Sequence, residues 1–205
     1  QVKAKIIGEG GNLGLTQLGR IEFARSGGRV NTDFIDNVDG VDCSDNEVNI
    51  KILLNALVSS GDLTLKQRNN LLFEMTDDVG DLVIQDCYRQ TESISITQLS
   101  GGSQLKEQLR FIHNLEKEGN LNREIEFIPT DDEISDRLAV SQGLTRPELS
   151  VLIAYGKMML KERFNIPEIT DNPYHRKLLI SAFPDVLQKR YAEQMEQHPL
   201  RSEII

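Results

Sequence analysis

Residues 8–44, GEGGNLGLTQLGRIEFARSGGRVNTDFIDNVDGVDCS, limit the possible folds more than any other part of this chain. A run at 2–7 that alternates and then turns apolar enters glycines 8, 10, 11 and 14, the pattern of a covered strand leading into a close-approach loop. Thr16 caps a predicted helix at 17–25 that Gly27 and Gly28 end, and residues 30–35 have the pattern of a second strand. Strand, helix and strand at this spacing predict a right-handed crossover and two parallel neighbours, half of a nucleotide-type α/β unit. Ligands of open parallel sheets sit beyond the carboxyl ends of the strands. Asn12 and Asn37 hold such positions and Ser44 follows closely, which makes these three the candidate site residues.

After Ser44 no strand pattern returns, and about seven helices are predicted. Ser44 or Asp45 starts one that passes Leu57 and stops near Gly61, Thr64 starts the next, and a third runs through Val79 and Cys87. Ser100-Gly101-Gly102-Ser103 breaks the chain before the helical period of Leu105, Leu109, Ile112 and Leu115. Residues 121–129 form a predicted connection. Thr130 with Glu133 has the capping-box pattern, and Thr145-Arg146-Pro147-Glu148 adds a first-turn proline to it. Asp171 or Asn172 with Pro173 begins another helix, and Pro184 starts or kinks the last, at 185–197. The expected fold is mostly α: a partial α/β unit at 1–44, the closing βαβ of a Rossmann-like domain, then a multi-helix domain at 45–205.

The net charge of −9 lacks the basic footprint of a nucleic-acid binder. Cys43 and Cys87 lack metal-type spacing and suit a reducing compartment. With no apolar run of membrane-spanning length and no signal peptide, a cytoplasmic protein is expected. The chain starts one residue before a predicted strand and its first methionine is Met75, the expected look of a piece of a longer protein.

Several residues have two chemical readings. Glycines 8, 10 and 14 form Gly-x-Gly-x-x-x-Gly, one residue longer than the usual dinucleotide loop, with Asp33 or Asp36 as the ribose acid; the alternative is a tight βα turn. The Asn12 and Asn37 amides suit a carboxamide or ribose hydroxyl, or simply form turns. Ser44 suits a ligand carboxylate or an N-cap. His113, His175 and His198 lie far apart without a second ligand at metal spacing, as helix-surface residues would, and no Ser-His-Asp or Cys-His set is visible, so no catalytic or metal residue is assigned.

Glu9-Gly10-Gly11-Asn12-Leu13-Gly14-Leu15-Thr16 resembles the Glu-Gly-Ala-Asn-Gly-Pro-Thr-Thr motif of the glutamate dehydrogenase family. Residues 36–44 resemble its Ala-Asn-Ala-Gly-Gly-Val-Thr-Val-Ser segment, and Gly-Leu-Thr-Arg-Pro-Glu-Leu at 143–149 is similar to a stretch of the large bacterial NAD-specific members. The resemblance implies that Asn12 lies along NAD, that Asn37 contacts its nicotinamide-ribose side and that Ser44 holds the distal carboxylate of L-glutamate. The implied reaction is oxidative deamination to 2-oxoglutarate and ammonia. The family's catalytic lysines, its catalytic aspartate and its main phosphate loop lie upstream of the matched stretch, so glycines 8, 10 and 14 are not that loop and the isolated chain is expected to be inactive. Val38-Asp39-Gly40 departs from the family's Ala-Gly-Gly by a carboxylate near Ser44. The expected partners are the upstream part of the same chain and further copies of it. Two other expectations are a helical assembly module at 45–205 and a nucleotide-binding regulator built on the glycine loop.

Overall fold

Threonine hydroxyls set several of the helix starts. In the computed structural model, which describes residues 3–205, α1 covers Gln17–Arg25 and Thr16 accepts the Gly19 N–H. Short α2 (Asp33–Asp36) precedes long α3 (Val38–Ser60). Thr64 and Gln67 close a full capping box on α4 (Leu65–Glu74), and α5 runs over Thr76–Leu99. A 3-10 turn at Gly101–Gln104 leads into α6 (Leu105–Lys117), and Asn122 caps the short α7 (Arg123–Glu126) inside the predicted connection. Thr130 and Glu133 form the box on α8 (Asp131–Ala139) that the sequence predicts. Then come α9 (Arg146–Phe164), α10 (Pro167–Thr170), α11 (Arg176–Ser181), α12 (Asp185–Met195) and α13 (Arg201–Ile204).

The fold is mostly helical, and the expected α/β unit is not formed: no strand occurs among the described residues. What remains of it is one parallel bridge, Ile6 to Arg29, in which Ile7 N–H donates to Arg29 O and Arg29 N–H to Lys5 O, both at 2.9 Å. Val2, in the first predicted strand, lies outside the described residues. The second predicted strand fails for a local reason. Thr32 O accepts Ile35 N–H at 3.1 Å and Asp33 O accepts Asn37 N–H at 2.8 Å, so helical bonds take the groups a ladder needs. Helix α3 starts six residues before the first predicted cap, Ser44, and ends where Gly61 adopts φ +85°.

The chain divides into two compact units. The first comprises the chain up to Val38 with Cys87–Leu160. Its core packs one face of α6, Leu105, Ile112 and Leu115, against Ile94, Ile134, Leu149 and Leu152. Each such side chain contributes about 1.5–3 kcal/mol by leaving water. Backbone meets backbone where a Cβ on Gly102 would lie 2.9 Å from Ser141 C and one on Gly143 would lie 2.8 Å from Gly101 O, so both places require glycine.

The second unit comprises Asp39–Asp86 and Lys161–Ile205. Ile50, Leu53, Leu54 and Leu57 on α3 pack with Leu71, Met75, Leu179, Phe183, Leu187 and Met195. His198, expected on the surface, is buried and edge-on to Phe183. Its Nδ1 accepts Leu200 N–H at 3.1 Å, so the proton sits on Nε2 and is donated to Asn49 O at 3.0 Å. No described helix is long and apolar enough to cross a membrane.

Candidate functional site

The glycine loop is held by acids. Glu9 and Arg20, whose side chains are each 6% exposed, form a side-on pair: Nε to Oε2 and Nη2 to Oε1, both 2.8 Å. Arg20 Nη2 also lies 3.2 Å from Asp33 Oδ2. The same Glu9 carboxylate accepts Leu15 N–H at 2.9 Å, and Asp33 accepts Leu13 N–H at 2.9 Å. Asp36 accepts Glu9 N–H at 2.9 Å and the Asn31 amide at 2.8 Å.

A phosphate cradle needs open N–H groups and positive potential. Here carboxylates of the chain itself take the Glu9, Leu13 and Leu15 N–H groups, and their negative charge opposes a pyrophosphate at glycines 8, 10 and 14. Asp33 and Asp36, the two candidates for a ribose acid, both bond the loop.

The acids also explain the electrostatics. The Arg20 guanidinium, aided by the Leu15 N–H, holds the Glu9 carboxyl below its ordinary 4.5, and Glu9 in turn raises Arg20. Burial pushes Asp33 up, but the Leu13 N–H and Arg20 outweigh it and leave the carboxyl lowered. The stability Glu9 contributes is therefore complete above pH 4.5 and is lost as pH falls through its depressed folded value. Thermal unfolding followed by circular dichroism should show the midpoint dropping as pH falls below this point, with a shallower drop in Glu9→Gln. Equal slopes would contradict this account.

The three candidates differ in setting. Asn12 is exposed, adopts φ +56°, and its side chain makes no hydrogen bond to the described residues. Leu13 follows at φ +55°, a conformation that costs a branched residue on the order of 1–2 kcal/mol. The Asn37 amide donates to Gly10 O, which brings Asn37 onto the loop that presents Asn12. Ser44 belongs to the other unit, inside α3, where its hydroxyl donates to Gly40 O at 3.1 Å. It is exposed and is not a cap. Among the described residues no three His, Cys, Asp or Glu side chains gather as a metal site.

Sequence patterns missed Arg20 and Asn31, which bond the acids that hold this loop, and the bond of Arg146 to Asn31. The available signal was a charge within the apolar stripe of α1, beside Ile21, which is itself buried. The start of α9 was legible. Glu148 accepts Thr145 N–H at 2.6 Å and its hydroxyl at 2.8 Å, as a capping box does. Its second role was not legible: Arg137 Nη1 and Nη2 grip the same carboxylate, both at 2.8 Å.

A family model described as the catalytic domain of bacterial NAD-glutamate dehydrogenase matches residues 1–97, and one described as the glutamate dehydrogenase C-terminal region matches 141–205. All 205 residues align at 49% identity with NAD-specific glutamate dehydrogenases of Pseudomonas aeruginosa and Halomonas elongata, and at 45% with that of Mycobacterium tuberculosis. The chain belongs to the NAD-specific glutamate dehydrogenase family. It spans 13% of the length of each of these relatives.

Proposed function

We propose that this chain works as part of an NAD-dependent glutamate dehydrogenase, converting L-glutamate, NAD and water to 2-oxoglutarate, ammonia and NADH. The observation that carries this reading is the 45–49% identity over the whole chain to proteins of that name. Residues 1–44 close the cofactor domain, the bridge between Ile6 and Arg29 joining a sheet formed by upstream strands, and 45–205 is the helical region. Upstream sequence supplies the catalytic lysines, and the enzyme is a cytoplasmic homo-oligomer.

NAD, when bound, accepts the hydride released from the α-carbon of glutamate. The chain's own residues orient the reactants. Asn12 offers an uncommitted carboxamide on a backbone fixed by Glu9 and Asp33, suited to the nicotinamide-ribose end and not to phosphate. Asn37 keeps Oδ1 as an acceptor while its amide holds Gly10. Ser44 releases Gly40 O to donate to the distal carboxylate of glutamate.

The test is kinetic, in the full-length enzyme. Ser44→Ala should raise KM for glutamate by about 10-fold or more, the size of a hydrogen bond to a charged group, and leave KM for NAD unchanged. Asn12→Ala should do the reverse. A purified 205-residue chain that deaminates glutamate would sink the assignment of the catalytic groups to upstream sequence.

A further inference from the structure

We propose that Arg146 is a positioning residue for the cofactor-facing loop, acting through Asn31 and Asp36. This rests on the function proposed above. Arg146 is the first residue of α9 and is partly buried, yet it makes no ion pair among the described residues. Its Nε donates to Asn31 Oδ1 at 2.8 Å and its Nη1 to Ser95 Oγ at 2.9 Å. Burial and the positive charge of Arg29 both pull its pKa below the ordinary value.

A half-buried cation answered only by neutral acceptors is costly. The geometry shows what offsets the cost. Asn31 Nδ2 donates to Asp36 Oδ1 at 2.8 Å, and the other oxygen of Asp36 takes Glu9 N–H at 2.9 Å. Arg146 is therefore joined to a carboxylate through one intervening amide, and that carboxylate holds the entry to the glycine loop.

Direction matters in this relay. A guanidinium only donates, so it fixes the Asn31 carbonyl toward itself and the amide nitrogen toward Asp36. Without Arg146 the Asn31 carbonyl loses its donor and only the Asp36 carboxylate still orients the amide, so the side chain is freer to move and Asp36 is held less firmly on Glu9 N–H. The backbone that presents Asn12 loosens with it. Arg146 lies in the segment matched by the C-terminal family model and the loop in that matched by the catalytic model, so the relay joins two regions that sequence comparison treats separately. Gln17 Nε2, donating to Pro147 O at 3.1 Å, is a second bond between them.

The experiment uses the full-length dehydrogenase with Arg146→Ala, Asn31→Ala and both together. Each single variant should raise KM for NAD by about tenfold, leave KM for glutamate unchanged, and produce no further rise in the double variant. Ethylguanidinium added to Arg146→Ala should lower KM for NAD toward wild type, which a general loss of packing would not allow. If Arg146→Ala does not fold, Asn31→Ala, which removes no charge, carries the test. Unchanged KM for NAD in these variants, while Asn12→Ala raises it, overturns the relay and leaves the proposed function standing. Additive effects in the double variant also overturn it. If Asn12→Ala is silent as well, the function assigned to the loop fails and the relay with it.

Discussion

Glu148→Ala should strongly destabilise the first unit, lowering its stability by about 3–5 kcal/mol. The Glu148 side chain is 1% exposed and that of Arg137 6%, so removing the carboxylate strands a guanidinium where water cannot reach it. It also leaves the Thr145 N–H without its 2.6 Å acceptor at the head of α9. At about 2–4 °C per kcal/mol for a chain of this size, the thermal midpoint should fall by roughly 6–20 °C. Arg137→Met with Glu148→Leu should recover much of this, because no charge is left buried. It should not recover all, since an unsatisfied buried N–H still costs about 1–3 kcal/mol. Full recovery would mean that the cap contributes nothing.

Arg20→Met should cost a similar amount, about 3–5 kcal/mol, and should also disturb the loop. Glu9 would be left buried, and Asp33 would lose its cation. The Glu9 carboxyl should then lose the depression that Arg20 causes, making the fall in stability below pH 4.5 shallower. Lys189→Ala is the control: its pair with Asp185 is about three-quarters exposed on both sides and should contribute at most about 1 kcal/mol. Chemical denaturation of the three chains measures the difference. A loss in Arg20→Met no larger than in Lys189→Ala would show that the Glu9 pair does not hold the loop.

What was legible in the sequence was whatever depends on residues three or four apart. Thr16, Thr64 and Thr130 each mark a helix start to the residue, because a hydroxyl and the N–H it accepts are fixed by one turn of backbone, and at Thr145 the Glu148 carboxylate three residues on takes the threonine's N–H and hydroxyl. Residues 30–35 alternate as a strand does, but Asp33 and Asp36 turn back on the loop 20 and 27 positions earlier, and no local pattern announces that. Ser44 has the composition of a cap and sits inside a helix, bonding back to Gly40, since α3 begins at Val38 without a side-chain signal. The Glu9–Arg20 and Arg137–Glu148 pairs each join residues eleven apart that lie on different elements, a contact that no periodicity within one element marks. The candidate residues themselves were visible as motif, whereas the framework that fixes them was not.

The close approach of Gly101 and Gly102 to Ser141 and Gly143 has a consequence for how this chain can change length. It draws together the two ends of a 38-residue span, 103–140, that carries α6 and α8 and includes most of the stretch neither family model matches. The entropy of closing a loop grows only with the logarithm of its length, so once the ends are clasped, added residues are cheap where they face solvent. Glu118, Gly119 and Asn120 are exposed between α6 and the buried Leu121. Insertions should accumulate at that turn, and deletions that shorten α6 should not be found.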